Sequence, residues 1–220
     1  MAQTCDVRRG ADVVNERVSA NGPRRYFKAL SSVSRINLLD ALRRQGTLTI
    51  GELAAATGLH VNTTREHLSS LISSGLVSAL PDLSGNRGRP LLRYRIDVGT
   101  DSRRERAPRG RPDQLTALSD HMAHAGFDAT IDRTAQCMTM YDCPFARLSD
   151  ANPQVCQVHL ALIQHVLRNA ASPLQAGALH RRSGPRECTL ELTSSADRVD
   201  PAERDVHPAG GLRDASLLPE

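Results

Sequence analysis

Three cysteines and a histidine in the second half of the chain, Cys143, Cys156, Cys188 and His159, carry donor atoms suited to holding a metal. Thiolates are the usual ligands of iron–sulfur clusters, and a Cys3His set equally makes a structural zinc site. Cys156 and His159 are three residues apart, so on a helix both lie on one face. Twelve residues separate Cys143 from Cys156, and 31 separate Cys156 from Cys188. Residues scattered over a strand end, a helix and a later strand can still converge on one point. An oxygen ligand, a small thiol or Cys137 could instead fill a fourth position. The odd total of five cysteines argues against a disulfide scaffold. Cys137 reads as a buried strand residue and Cys5 as part of an N-terminal arm outside the site. His121 and His124, three apart on a polar helix, read as solvated. No Cys-x-x-Cys, phosphate loop or Ser/His/Asp motif supports a thiol-redox or other enzyme, so none is expected.

A second constellation lies in the first half. A helix over Asn62 to Ser73 sets Thr64, Leu68, Leu71 and Ile72 along one buried stripe. Its other side offers Asn62, Thr63, Glu66 and Ser69, flanked by Arg65. Short polar side chains and Arg read base edges in the major groove, and the first helical turn presents N–H groups to phosphate. Arg87 and Arg89 follow on a Gly-containing loop suited to backbone or minor-groove contact. Charge agrees with a polyanion partner. Residues 23–98 hold 11 basic against 5 acidic side chains, residues 99–113 hold 5 against 3, and residues 114–220 hold 9 against 13. The plainer alternatives are a solvated basic face or a helical domain that contacts protein. With only 3% aromatic residues, no rings interleave with the arginines, which argues against a single-strand stacking platform.

The elements that must position these groups follow from periodicity and punctuation. Residues 1–22 read as a flexible arm or a short extra helix. Residues 24–44 read as two helical pieces broken near Ser31-Ser32 and ended by Gly46. A short helix over Glu52 to Thr57, a turn at Gly58, the helix from Asn62 to Ser73 and two strands, Leu76 to Leu80 and Leu91 to Ile96, complete the first half. Pro81 to Pro90 form the hairpin tip. That order is a winged helix-turn-helix. A polar linker over 99–113 leads to a helix, Leu115 to Ala125, then two strands within 127–142 and a helix over 153–169. The stretch 170–186 reads as loop, Glu187 to Leu192 as a strand, and the chain from Ser194 as a disordered tail. The expected fold class is α+β, with a winged helix at 23–98 and a small α+β cysteine-containing sensor and dimerisation domain at 114–193. The apolar runs are far shorter than the roughly 20 residues a membrane span needs. The N-terminus has no apolar signal core, so a cytoplasmic protein is expected.

Two resemblances sharpen this. The stretch "YFKALSSVSRINLLDALRRQG…LTIGELAAATGLHVNTTREHLSSLISSGLV" is similar to the ArsR-like bacterial regulators, and "GNRGRPLLRYRI" resembles the wing of one branch. Further on, "YDCPFARLSDANPQVCQVHLALIQHVL" followed by "RECTLEL" resembles the C-terminal domain of the SufR-type iron–sulfur repressors. That resemblance implies a [4Fe–4S] cluster held by Cys143, Cys156 and Cys188, with His159 beside them. The Cys156 to Cys188 gap is longer than the resemblance implies, and the difference falls in the loop-like stretch. Together these readings describe a homodimeric repressor that binds a double-stranded DNA operator and senses iron or redox status. Zinc in place of the cluster is the alternative.

Overall fold

The computed structural model describes residues 15–18, 25–82, 91–98, 113–132, 136–170, 174–182 and 186–194. In chain order its elements are β1 (Asn15–Val18), α1 (Arg25–Leu30), α2 (Val33–Gln45), β2 (Leu48–Thr49), α3 (Ile50–Thr57), α4 (Val61–Ser73), β3 (Val77–Pro81), β4 (Leu92–Ile96), α5 (Gln114–Ala125), β5 (Asp128–Asp132), β6 (Cys137–Tyr141), α6 (Ala146–Ala151), α7 (Gln154–Asn169), β7 (Leu174–Arg181) and β8 (Cys188–Ser194).

Local chemistry sets most of the boundaries. Gly46 (φ 79°) and Gly58 (φ 68°) end α2 and α3 in conformations that a Cβ would disfavour. Helix α3 opens on a capping box. Thr49 Oγ1 accepts from the Glu52 amide at 3.3 Å, and Glu52 Oε2 accepts from the Thr49 amide at 2.7 Å. That box starts the helix at Ile50, two residues before the Glu52 expected from periodicity. Asp113 caps α5 by accepting from the Thr116 amide at 3.1 Å.

Strands β2, β4 and β3 form a small antiparallel sheet in that order behind α2, α3 and α4, so the first half is a winged helix-turn-helix. The second sheet has the order β1-β5-β6-β8-β7, all antiparallel, with α5 and α7 packed against it. Helices α1 and α2 lie on α5 and α7, so one hydrophobic core runs from Leu38 and Leu39 through Leu118 and Met122 to Leu162 and Leu190, all fully buried. Polar contacts stitch the same junction. Gln154 donates to Asn37 Oδ1 at 3.1 Å, and Arg43 donates to Gln157 Oε1 at 3.1 Å.

Several expectations are corrected here. The segment read as a flexible arm contains β1, which adds to the edge of β5 with Asn15 opposite Asp132 and Val18 opposite Ala129. An edge offers unpaired backbone groups to any extended segment, and the sequence Asn-Glu-Arg-Val has no apolar alternation to announce it. The stretch 170–186, read as loop, contains β7, whose alternation is broken by a register shift between Ala176 and Leu179. Gly177 sits in that irregularity, where a Cβ would stand 3.3 Å from Glu191 Cβ. Ile72 is 41% exposed and is no part of the α4 stripe. Eight residues on, it is turned about 80° from Thr64. His121 is 3% exposed, because α1 covers the side of α5 taken as solvated. Cys5, the hairpin tip with Arg87 and Arg89, residues 99–112 of the expected linker, and the tail from 195 lie outside the described residues.

Candidate metal centre and nucleic-acid interface

The cysteine site is assembled from four separate pieces of chain. Strand β6 ends at Tyr141, and Asp142 turns the chain with φ 47°, a conformation that Asp tolerates better than most residues. Cys143 follows. Its amide donates to the Arg186 carbonyl at 3.0 Å, which ties it to the approach of β8, and its carbonyl accepts from Ala146 at 3.2 Å as α6 begins. Cys188 opens β8 opposite Met140 of β6 and Arg181 of β7. Cys156 lies in the first turn of α7, and His159 follows one turn later on the same face. All four side chains line one cavity of about 20 Å³, walled by Phe127, Met140, Phe145, Val155 and Leu179, with Ser149 at its edge.

Electrostatics separates the four donors. The Cys143 thiol is lowered to about 7, first by the hydrogen bond from Cys188, then by the Phe145 amide and by Arg181 and Arg186, against the opposing effect of burial. Cys188 is pushed up by the same bond and by burial. Cys156 is raised chiefly by burial, partly offset by the Ser149 hydroxyl. Burial alone holds the His159 imidazole at about 4, so it stays neutral, the form that binds metals. Its Nε2 is buried and has no hydrogen-bond partner among the described residues.

These donors fit a thiolate-held cofactor in kind and number, and Arg181 and Arg186 would offset its negative charge. The room is another matter. A cavity of about 20 Å³ holds about one water molecule, so a multi-iron cluster requires its walls to open. Among the described residues, no three Cys, His, Asp or Glu side chains are grouped to hold a single metal ion as they stand. Cys137, the weaker candidate, is buried on β6 opposite Glu191 and is not part of this lining. Sequence reasoning missed the aromatic wall. Phe127 stacks on His159 at 4.5 Å and 2°, and Phe145 meets both Phe127 and Phe27. Isolated rings far apart in the chain leave no periodic signal.

The second constellation lies on α4. Thr64, Leu68 and Leu71 seat the helix on the core. Asn62, Arg65, Glu66 and Ser69 are exposed and Thr63 is half-buried, so the polar side faces outward. Arg65 donates to Asn62 Oδ1 at 2.8 Å, which lays the guanidinium along the first turn. The His60 ring accepts from the Asn62 amide at 3.3 Å and caps the helix. On the wing, Arg93 is held by Asp82 at 2.8 Å, and Arg95 donates to the Ser78 hydroxyl at 3.2 Å. These two arginines were not singled out from sequence. A helix seated by its apolar stripe, with its polar side outward and a basic hairpin beside it, is the reading head of a DNA-binding winged helix.

Residues 32–79 match the family model described as bacterial regulatory protein, arsR family. This stretch, from α2 into β3, is an ArsR-family winged helix-turn-helix regulator domain. It is similar to a possible transcriptional regulatory protein (fragment 1–100) from Mycobacterium bovis, seen in a crystal structure, with 34% identity over 37% of this chain and 78% of that one, at a TM-score of 0.29. A solution structure from the same organism, described as a homodimeric winged helix-turn-helix DNA-binding domain of a possible ArsR-family regulator, matches with 34% identity over 37% of this chain and 68% of that one, at a TM-score of 0.29. NolR from Sinorhizobium fredii matches with 25% identity over 45% of this chain and 82% of that one, also at 0.29. No curated protein sequence matches. Among the described residues, no helix is long and apolar enough to cross a membrane.

Proposed function

We propose that this chain is a homodimeric cytoplasmic repressor whose second half, about 114–193, holds an iron–sulfur cluster of the [4Fe–4S] type and reports iron or redox status to the winged helix at 23–98. The observation that carries this is the convergence of Cys143, Cys156, Cys188 and the orphaned Nε2 of buried His159 on one cavity. The three cysteines would each hold one iron, with His159 as a fourth ligand or as a donor beside the cluster. When bound, the cluster would supply a redox-sensitive and oxygen-sensitive group in a site walled mostly by apolar side chains. The DNA side rests on Asn62, Thr63, Arg65, Glu66 and Ser69 of α4, with Arg87 and Arg89 of the wing tip in backbone contact. One winged helix reads only a half-site, which is the reason to propose a dimer.

Zinc is the second reading, and the small cavity favours it, since one ion needs less opening than a cluster. The test is a gel-shift titration of duplex DNA with protein purified without oxygen, before and after chelation and oxidation. The proposal expects the affinity to change by about fivefold or more, the usual scale of allosteric coupling. Equal affinity in both states would refute a sensory role.

A further inference from the structure

The first helix of the reading domain touches the cysteine site through rings, along two tracks that start from neighbouring residues. Phe27 of α1 stacks on Phe145 at 5.6 Å and 27°. Phe145 stands two residues after Cys143 and lines the cavity. Tyr26 packs on His121 at 5.4 Å, and His121 stacks on His159 at 5.8 Å and 23°. Phe127 closes the circuit against both Phe145 and His159. In a core with so few aromatic side chains, this clustering at one junction marks the junction as unusual.

The second track holds a feature that packing alone does not account for. His121 is buried, and neither ring nitrogen has a hydrogen-bond partner among the described residues. A satisfied core would carry an apolar side chain there, because orphaned polar atoms weaken a fold. The other end of α1 is fixed to the reading domain. Arg35, in the first turn of α2, donates to the carbonyls of Ala29 and Lys28 at 2.7 Å each. Helix α2 in turn packs on α3 and α4.

We infer that α1 is the lever between the two sites, and that Phe27 and Tyr26 are positioning residues that couple the cysteine cavity to α4. The cavity has room for about one water molecule. Anything larger held by its thiols presses on this lining, which includes Phe145 and His159, and densely packed rings pass a displacement on. Phe27 and Tyr26 receive it on adjacent positions of a short helix, and Arg35 carries it into α2. The competing route is the direct contact of α2 with α7 through Asn37 and Arg43.

This inference rests on the reading of α4 as the DNA-binding helix, and the test separates the two. Coupling is reciprocal, and a mechanical lever passes a change at α4 back to the cysteine site even with no metal present. The experiment is hydrogen–deuterium exchange on the full-length, metal-free chain, with and without sonicated duplex DNA at low salt. The amides of 142–160 are read by peptide mapping. Wild type should show an exchange change of about fivefold or more in that segment. Phe27→Leu should bind the same DNA and show no such change. Phe27 is half-buried, and Phe27→Met is the second variant if Leu unfolds the chain. No change in wild type despite a gel shift on the same sample would overturn the lever alone. A change that persists in both Phe27 variants would assign the coupling to α2 and α7 or to direct shielding, and would also overturn it. No gel shift at all would sink the DNA-binding reading and this inference with it. Iron, sulfide and zinc content plays no part in the readout.

Discussion

Two imidazoles buried in the neutral form make the stability of this protein steeply dependent on pH in mild acid. His121 is held well below its ordinary value, first by burial and then by neighbouring His159 and His124. His159 is held at about 4 by burial. In the unfolded chain both titrate near 6.5. Below that pH the unfolded state binds protons that the folded state does not, so stability present above about 6.5 is lost as pH falls. At pH 5.5 an unfolded His is about nine-tenths protonated, while the folded His159 ring, held at about 4, remains almost fully neutral. His159 then contributes a slope of about 1.2 kcal/mol per pH unit, and His121 adds a contribution of the same sign. Half-buried His165 shifts in the same direction, with burial as its main cause, and adds a smaller share. His121→Leu removes one of the two main contributions and keeps the volume filled. Urea unfolding of metal-free protein, followed by circular dichroism at pH 7, 6 and 5, measures the slopes. The variant should lose less stability than wild type between pH 6 and 5, because the group held neutral by burial is gone. It should also be more stable at pH 7 by about 1–2 kcal/mol, because two orphaned nitrogens leave the core. Equal slopes would refute the burial of a neutral His121.

Three further outcomes follow from named contacts. Gln114 donates to the Leu167 and Leu174 carbonyls at 2.6 and 3.0 Å and accepts from the Leu174 amide at 2.8 Å. Gln114→Leu should therefore lower stability by roughly 2–4 kcal/mol in urea unfolding, because the buried backbone groups lose their partners. Thr49→Ala breaks the capping box of α3 and should remove about 1 kcal/mol, seen as a fall of about 2–4 °C in Tm. Arg65→Ala should weaken binding of an operator duplex by roughly 1–3 kcal/mol if the guanidinium pairs with a base edge. Gel shifts at several salt concentrations would distinguish that loss from a purely electrostatic one.

The helices of the first half were legible because local signals coincide there with a 3.6-residue apolar repeat. Gly46 and Gly58 punctuate it, and Leu68 and Leu71 mark the buried face of α4. The four donors of the cysteine site were legible by residue type, since few side chains bind soft metals, and Cys156 and His159 by their spacing. What escaped depends on partners distant in sequence. β1 exists because β5 offers an edge, and nothing in Asn15–Val18 itself requires a strand. β7 was hidden by the irregularity at Gly177. His121 looked solvated because helical spacing says which residues share a face, not what covers it. Gln114 reads as an ordinary first-turn polar residue until its bonds to Leu167 and Leu174 are seen. The small size of the cavity is likewise a property of the assembled walls.

The most direct measurement is iron, acid-labile sulfide and zinc per chain in protein purified without oxygen, for wild type and for single Ser variants of Cys143, Cys156, Cys188, Cys137 and Cys5. Wild-type protein should be brown and contain iron and sulfide. Both should be lost in the Cys143, Cys156 and Cys188 variants and retained in the Cys137 and Cys5 variants. Colourless wild-type protein with one zinc and no sulfide would contradict the iron–sulfur reading. Iron and sulfide retained in all three cavity variants would contradict the site itself.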